Sequence, residues 1–298
     1  MQYAFKTAKE LLELTKKHNR SISDIVKLYE VERSGKDSAY VRNRMKMTRD
    51  VMQSAITSGI KSTEKSKMGM VGGDANKLYK SLKNLRNMMG NKVTLRAMAY
   101  ATAVGEQNAC MRKIVAFPTA GGSGVVPGTL FSASEHFHAG KRRLLKGMFT
   151  ASAVGLIIAE GATLSAAAGG CQAEVGAAVA MAAAGLTEMR EGTPEQCFHA
   201  SAMALKSYLG LVCDPLGGLV EVPCIKRNAL GCMVAVGASD MAIIGIESFI
   251  PFDEVVWAMN NISKIMSPKL RETALGGLAV TETGNKIKQK LGLPIVQG

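Results

Sequence analysis

The sequence has few aromatic residues and no apolar run long enough to cross a membrane. Aromatic residues make up 5% of its 298 residues, whereas it holds 31 Gly and 18 Met. Its longest apolar stretches, residues 147–159 and 175–187, fall short of the roughly 18–20 residues that a bilayer span needs. With the alanine-rich middle of the chain, this composition favours helices that pack closely through small side chains. The sequence therefore predicts an all-α fold without membrane segments.

The N-terminus lacks a secretory signal peptide, because Lys6, Lys9 and Glu10 interrupt any apolar segment there. Export is therefore not expected. Six cysteines in a long, unexported chain favour reduced thiols, either core residues or metal ligands, over a framework of disulfides. The predicted location is the cytoplasm.

Acidic residues are scarce in the first third of the chain. Residues 1–100 hold 21 Lys and Arg against 9 Asp and Glu, which gives +12 of the net charge of +13. No basic motif with interleaved aromatic residues accompanies this charge, so nucleic-acid binding is not expected. The basic helices are expected to present a solvated face or to dock a protein partner. We divide the chain into a basic helical region, residues 1–112, packed on a second helical region, residues 113–298, which could also form one continuous domain with it.

Hydrophobic periodicity and glycine or proline breaks predict the helices. Ser21, followed three residues later by Asp24, resembles a capping box and marks the start of one of them. Residues 113–117 form the only short run with strand-like composition. The predicted helices span residues 4–18, 21–34, 37–58, 76–89, 93–110, 129–147, 148–168, 172–185, 194–209, 227–248 and 253–266.

The loop at residues 118–129 contains four glycines and two prolines between helices. Backbone N–H groups in such a loop can form a concave anion-binding nest, here just before a predicted helix. The spacing matches neither a P-loop nor a dinucleotide fingerprint, and the loop could equally be a hinge. The candidate ligand-binding residues are Thr119, Ala120, Gly121, Gly122, Ser123 and Gly124.

Two carboxylates and two histidines are further candidates. Glu160 and Glu174 are the only charged residues between Gly147 and Thr187, and a carboxylate in so apolar a segment must be paired, hydrogen-bonded or functional. The histidines at positions 136 and 138 lie two residues apart on a predicted helix, so they face different sides and suit a metal poorly.

The six cysteines fall into two groups. Cys171, Cys213 and Cys224 lie at glycine- or proline-broken boundaries, where turns can direct several sulfurs to one point. Zinc sites usually contain close Cys-x2–4-Cys pairs, which are missing, whereas iron–sulfur clusters tolerate wider spacing. The spacing by itself leaves a cluster site and structural cysteines both open. The remaining cysteines lie inside helical patterns and are expected to be small buried hydrophobes: Cys110, Cys197 and Cys232.

Three long motifs resemble the α chain of the bacterial iron–sulfur L-serine dehydratase family. They occupy residues 118–128, 160–176 and 213–228, in that order, and the resemblance covers nearly the whole chain. It implies a [4Fe–4S] cluster held by Cys171, Cys213 and Cys224, with one iron open to substrate. It also implies a lyase of amino-acid degradation that converts L-serine to pyruvate, which can enter gluconeogenesis, and ammonia. The open iron would act as a Lewis acid on the serine hydroxyl while a base removes the α-proton.

The resemblance also implies how the site is completed. The loop at residues 119–124 would bind the substrate carboxylate through its backbone N–H groups and the hydroxyls of Thr119 and Ser123. Lys226 and Asn228 would support it, and these four side chains are the candidate catalytic residues. A separate β chain would contribute a histidine, so a hetero-oligomer is expected. The C-terminal residues 293–298 contain no cysteine to cap the fourth iron. An iron–sulfur L-cysteine desulfidase and a non-catalytic metal-binding subunit are the alternative functions.

Overall fold

The computed structural model describes residues 1–295, and within that range it contains thirteen α-helices and no β-strand. This confirms the all-α prediction. The α-helices are α1 (Ala8–His18), α2 (Ile22–Ser34), α3 (Ser38–Gly59), α4 (Asp74–Ser81), α5 (Lys92–Ala109), α6 (Val125–His136), α7 (Lys141–Gly161), α8 (Ala166–Gly169), α9 (Ala177–Met189), α10 (Pro194–Lys206), α11 (Cys224–Ile243), α12 (Phe252–Ile265) and α13 (Glu282–Lys290). A π-helix, Gln172–Gly176, precedes α9, and short 3-10 helices span Leu216–Gly218, Pro268–Leu270 and Gly277–Val280.

Side-chain caps fix the starts of several helices where the sequence predicts them. The Ser21 hydroxyl accepts a hydrogen bond from Asp24 N at 3.3 Å, which confirms the predicted start of α2. The Thr193 hydroxyl accepts from Gln196 N at 3.2 Å, and the Gln196 side chain accepts from Thr193 N at 2.9 Å, which makes a complete capping box before α10.

The break that the sequence predicts at Gly147 is wrong, because Gly147 lies inside α7 and the chain turns at residues 137–140 instead. A Cβ built on Gly185 of α9 would lie 2.5 Å from the carbonyl oxygen of Gly147. Both glycines therefore allow the two helix backbones to approach closely. The next helix back, α6, starts at Val125, four residues before the predicted start at Thr129.

Two other predicted elements differ. Residues 113–117 have strand-like composition but form no strand, since no other segment of the described residues pairs with them. The helix predicted for residues 76–89 ends at Ser81, and in the turns that follow the Asn84 side chain accepts a hydrogen bond from Arg86 N at 3.1 Å. Local side-chain bonds of this kind compete with helix continuation.

The centre of the fold is α9. All thirteen of its residues are buried, and it packs against α6, α7, α10 and α11. Within residues 1–295, α7 is the only helix whose length and apolarity would suit a membrane span, and 67% of its most apolar window is buried inside the protein. A helix buried to that extent belongs to the core.

Hydrogen bonds attach the basic N-terminal helices to the rest of the chain. The Asp253 carboxylate accepts from Ala8 N at 2.7 Å and from Lys9 N at 3.0 Å, so it ties the start of α1 to α12. The Glu188 carboxylate of α9 accepts from Ser23 N at 3.2 Å. The helix α5 packs against α3 and α4 of the N-terminal region and also against α6 and α11. The division at residue 112 stays a prediction.

Candidate functional site

The three loop cysteines come together at one buried position. Cys171 directly precedes the π-helix, Cys213 follows α10, and Cys224 is the first residue of α11. All three are buried, with exposed fractions of 1%, 2% and 5%. The thiols of Cys171 and Cys213 are hydrogen-bonded to each other, and Cys224 lies close enough to both for their charges to interact.

Backbone contacts hold the first two of these segments side by side. Gln172 N donates to Leu211 O at 3.2 Å, and the Gln172 side chain accepts from Gly210 N at 2.9 Å. Gly170 has a φ of +73°, and a Cβ there would lie 2.8 Å from Leu211 O. Glycine is therefore required immediately before Cys171.

The electrostatic environment favours a thiolate at Cys171. The hydrogen bond from Cys213 lowers the pKa of Cys171 against the effect of burial, and the nearby Arg227 guanidinium lowers it further. The same hydrogen bond and burial raise the pKa of Cys213. Burial and the neighbouring Cys171 raise the pKa of Cys224 to about 12. The Arg227 guanidinium near the Cys171 and Cys224 sulfurs favours negative charge on them.

The other three cysteines lie elsewhere: two are buried in the helical core, whereas Cys110 is only half-buried, so the expectation that it is a small buried hydrophobe is wrong. Cys197 and Cys232 lie inside α10 and α11 with exposed fractions of 1% and 0%, and Cys110 follows the end of α5. Burial raises the pKa of Cys232 to about 12 and that of Cys197 far above its usual range. These thiols are therefore protonated, in keeping with their expected role as small hydrophobes.

Arg227 is a site residue that the sequence motifs did not predict. Its guanidinium forms an ion pair with Asp214 at 3.0 Å, donates to Val212 O at 2.9 Å, and hydrogen-bonds the Cys171 thiol. Arg227 follows Cys224 by three residues in α11, so the two lie on one face of the helix. That spacing is the sequence signal that identifies it, whereas Lys226, two residues after the cysteine, lies on another face.

Asn228 links the glycine loop to the cysteine site. Its side-chain oxygen accepts from Gly124 N at 2.9 Å, and its amide donates to Gly121 O at 2.6 Å and to Cys224 O at 2.9 Å. Asn228 is buried. One amide therefore fixes the loop against the first turn of α11.

Lys226 has a different surrounding. Its ammonium group pairs with the Asp74 carboxylate at the start of α4, and more than half of its side chain is exposed. The Glu106 carboxylate accepts hydrogen bonds from Asp74 N at 2.8 Å and Ala75 N at 3.3 Å and so caps the same helix. Lys226 thus connects α11 to the N-terminal region, and its support of a substrate stays a prediction.

The glycine loop keeps part of its backbone free. Gly122 N donates to the Thr119 hydroxyl at 3.3 Å and Ser123 N to Ala120 O at 3.3 Å, and the buried Ser123 hydroxyl also donates to Ala120 O at 2.8 Å. Among residues 1–295, no group accepts a hydrogen bond from the N–H of Thr119, Ala120 or Gly121. Three successive free donors are the arrangement that an anion-binding nest requires.

Glu174, on the π-helix, lies directly against this loop. A Cβ on Gly121 would fall 2.1 Å from a Glu174 carboxylate oxygen, so glycine is needed there. Thr119 hydrogen-bonds the carboxylate. A Glu174 oxygen, a Glu272 oxygen and the Cys213 sulfur lie within 4.8 Å of one another. Burial raises the pKa of Glu174, with a smaller contribution from the charge of Glu272, and burial also raises the pKa of Glu272.

The two carboxylates that the sequence analysis considered together therefore differ. Glu160 forms an exposed ion pair with Lys6 at 2.7 Å on the surface, whereas Glu174 reaches the site. Glu272 was not predicted as a site residue, because it lies in an irregular segment after α12 with no periodic pattern or motif around it. Only the tertiary structure brings it near Cys213.

Comparison with known proteins identifies the family. A sequence profile of the family described as "Serine dehydratase alpha chain" matches residues 17–279. The chain is 46% identical over 287 residues to the probable L-serine dehydratase, alpha chain, of Bacillus subtilis. That alignment covers 96% of this chain and 95% of the relative. It is 40% identical to the L-serine dehydratase, alpha chain, of Peptoniphilus asaccharolyticus, over 95% of this chain and 97% of that protein. The L-serine dehydratase of Helicobacter pylori is 37% identical over 94% of this chain but only 62% of its own length. The resemblance is confirmed, and the chain belongs to the serine dehydratase alpha chain family.

Proposed function

We propose that this chain is the α subunit of a cytoplasmic L-serine dehydratase that uses a [4Fe–4S] cluster to eliminate water from L-serine. The observation that carries the proposal is the convergence of Cys171, Cys213 and Cys224 beside a glycine loop with free N–H groups. Family membership and the names of the relatives in Bacillus subtilis and Peptoniphilus asaccharolyticus support the substrate.

The residues present fit a cluster with three thiolate ligands. Cys171, Cys213 and Cys224 are all buried, and the first two already touch. Thiolate sulfur is the usual ligand of iron–sulfur clusters. Arg227 provides a positive charge next to these sulfurs. When bound, the cluster would supply a Lewis-acidic iron that assists departure of the serine hydroxyl.

The loop would hold and orient the substrate. The free N–H groups of Thr119, Ala120 and Gly121 would donate to the α-carboxylate of L-serine. The Ser123 hydroxyl and the Asn228 amide would keep the loop in this shape, because both are hydrogen-bonded to loop carbonyl groups. Fixing the carboxylate restricts rotation of the small substrate, so that a single α-hydrogen faces the base.

The reaction removes the α-proton and the β-hydroxyl as water and leaves 2-aminoacrylate, which tautomerises to an imine that water hydrolyses to pyruvate and ammonia. His136, the last residue of α6, and His138, in the turn that follows, are both exposed. We propose that a separate β chain contributes a histidine base and docks on the basic N-terminal helices. The names of two relatives, each an alpha chain, and the greater length of the Helicobacter pylori relative support a second component.

The cluster assignment is tested by co-expressing the chain with its β chain, purifying the complex anaerobically and measuring iron and acid-labile sulfide. Cys171→Ser, Cys213→Ser and Cys224→Ser should each lose both, because a cluster deprived of one of three thiolates is not retained. Iron retention that depends on the other cysteines, but not on these three, would contradict the assignment. The matched controls, which should keep the cluster, are Cys110→Ser, Cys197→Ser and Cys232→Ser.

The reaction is tested with the same preparation. The complex should release pyruvate and ammonia from L-serine, with little turnover of D-serine, and the α chain by itself should be nearly inactive. Full turnover by the reconstituted α chain without gain from the β chain would contradict the two-chain proposal. Rapid sulfide release from L-cysteine with negligible pyruvate from L-serine would favour the desulfidase instead.

A further inference from the structure

The α-ammonium group of L-serine has no partner in the proposal above. The loop would bind the carboxylate and the cluster would assist departure of the hydroxyl, but a cation removed from water also needs an anion or several acceptors. Four acidic side chains lie near the cysteine segments. Asp214 is paired with Arg227, and Glu221 accepts a hydrogen bond from Ser66 at 2.6 Å. Two acidic side chains remain, Glu174 and Glu272.

Neither of these two carboxylates forms an ion pair with Lys, Arg or His among residues 1–295. An oxygen of each lies within 4.8 Å of the other and of the Cys213 sulfur. Two like charges at this separation repel, and a cation between them relieves the repulsion. These two carboxylates therefore lack a cationic side-chain partner within the described residues.

Glu174 lies in direct contact with the glycine loop. A Glu174 carboxylate oxygen lies 2.1 Å from the position that a Cβ of Gly121 would occupy. Thr119 also hydrogen-bonds this carboxylate. The α-carboxylate and the α-ammonium of an amino acid are attached to the same carbon, so their binding groups must be neighbours. Glu174 is the acidic side chain that touches the loop assigned to the carboxylate.

We propose that Glu174, assisted by Glu272, binds the α-ammonium group of the substrate and so makes the site specific for amino acids over hydroxy acids. This inference rests on the proposed function, since it uses the loop as the carboxylate site. It also gives Gly121 a reason to be glycine: a side chain there would displace the carboxylate that recognises the ammonium.

The test compares ligands that differ only in the ammonium group. L-Alanine and propanoate lack the hydroxyl and are not dehydrated, so calorimetry on the αβ holoenzyme measures their equilibrium binding without turnover. Wild type should bind L-alanine more tightly than propanoate. Glu174→Gln should weaken L-alanine binding by roughly 10–100-fold, as expected for loss of a charge-assisted hydrogen bond, and should leave propanoate binding unchanged. Glu272→Gln should have a smaller effect in the same direction.

Controls separate the inference from other roles. Glu160→Gln, which changes an exposed carboxylate paired with Lys6, should alter neither affinity. Glu174→Asp keeps the charge and should restore part of the L-alanine affinity. Iron and sulfide contents of the variants should equal those of wild type.

Several results would overturn the proposal that Glu174 binds the α-ammonium group. Glu174→Gln could bind L-alanine as tightly as wild type, lose affinity for L-alanine and propanoate equally, or lose its iron. Wild type could also fail to prefer L-alanine over propanoate. A variant with reduced kcat for L-serine but intact L-alanine binding would make Glu174 a base instead. The proposed function fails separately, if wild-type holoenzyme does not convert L-serine.

Discussion

A methyl group added at Gly185 tests the close packing of α9 against α7. The Cβ of Gly185→Ala would lie 2.5 Å from the carbonyl oxygen of Gly147 and 3.3 Å from its carbonyl carbon. Ordinary contacts begin at 3.4 Å, so the two helix backbones must separate by about 0.9 Å, the difference between 3.4 and 2.5 Å. Neither atom belongs to a flexible side chain that could move aside. The variant must therefore overpack the centre of the core.

The expected magnitude follows from two opposing effects. Overpacking a core costs about 1–3 kcal/mol, whereas replacing a helical glycine by alanine favours the helix by about 1 kcal/mol. Gly237 of α11 provides the matched control, because no atom lies within 4 Å of a Cβ built there. Gly237→Ala should raise the free energy of unfolding by about 1 kcal/mol. Gly185→Ala should be less stable than Gly237→Ala by about 1–3 kcal/mol.

Urea unfolding of the isolated chain, monitored by far-ultraviolet circular dichroism, measures this difference in stability. The urea concentration at the midpoint of unfolding should shift, while the dependence of the unfolding free energy on urea concentration stays the same. Gly147→Ala should reproduce the loss, since its Cβ would lie 2.8 Å from Gly185 O. If Gly185→Ala proved as stable as Gly237→Ala, α7 and α9 would pack less closely than the 2.5 Å approach indicates, and overpacking would be refuted.

Two further predictions concern buried carboxylates. Glu188→Ala leaves Ser23 N and the Thr150 hydroxyl without their acceptor and should lower the free energy of unfolding by about 1–3 kcal/mol; urea unfolding should show a smaller loss for Glu188→Gln, and equal losses would contradict this assignment. Burial raises the pKa of Glu106 from 4.5, although backbone N–H groups of α4 act against it, so its contribution to stability is full below pH 4.5 and is lost as pH rises through the raised pKa. The stability of wild type relative to Glu106→Gln should therefore fall as pH rises above 4.5, and a difference that grew with pH would refute the sign.

Local signals in the sequence predict where most helices lie and which cysteines differ from the rest. Caps such as Ser21 and Thr193 are local, because a side chain bonds a backbone group three residues away. The glycine and proline breaks around Cys171, Cys213 and Cys224 are local as well. Such signals need no knowledge of the rest of the fold, and the long motifs added the family.

Contacts between segments that are distant along the chain could not be predicted from these local signals. The sequence pattern predicts a helix break at Gly147. In the fold, Gly147 lies inside α7 and contacts Gly185, which is distant along the chain and belongs to α9. Lys226 and Arg227 are adjacent and both positively charged, yet one pairs with Asp74 and the other with the cysteine site, since successive helical residues face different directions. Glu272 lies in an irregular segment, where no periodicity predicts its neighbours. Packing between distant segments determines these contacts, and a local sequence pattern does not contain that information.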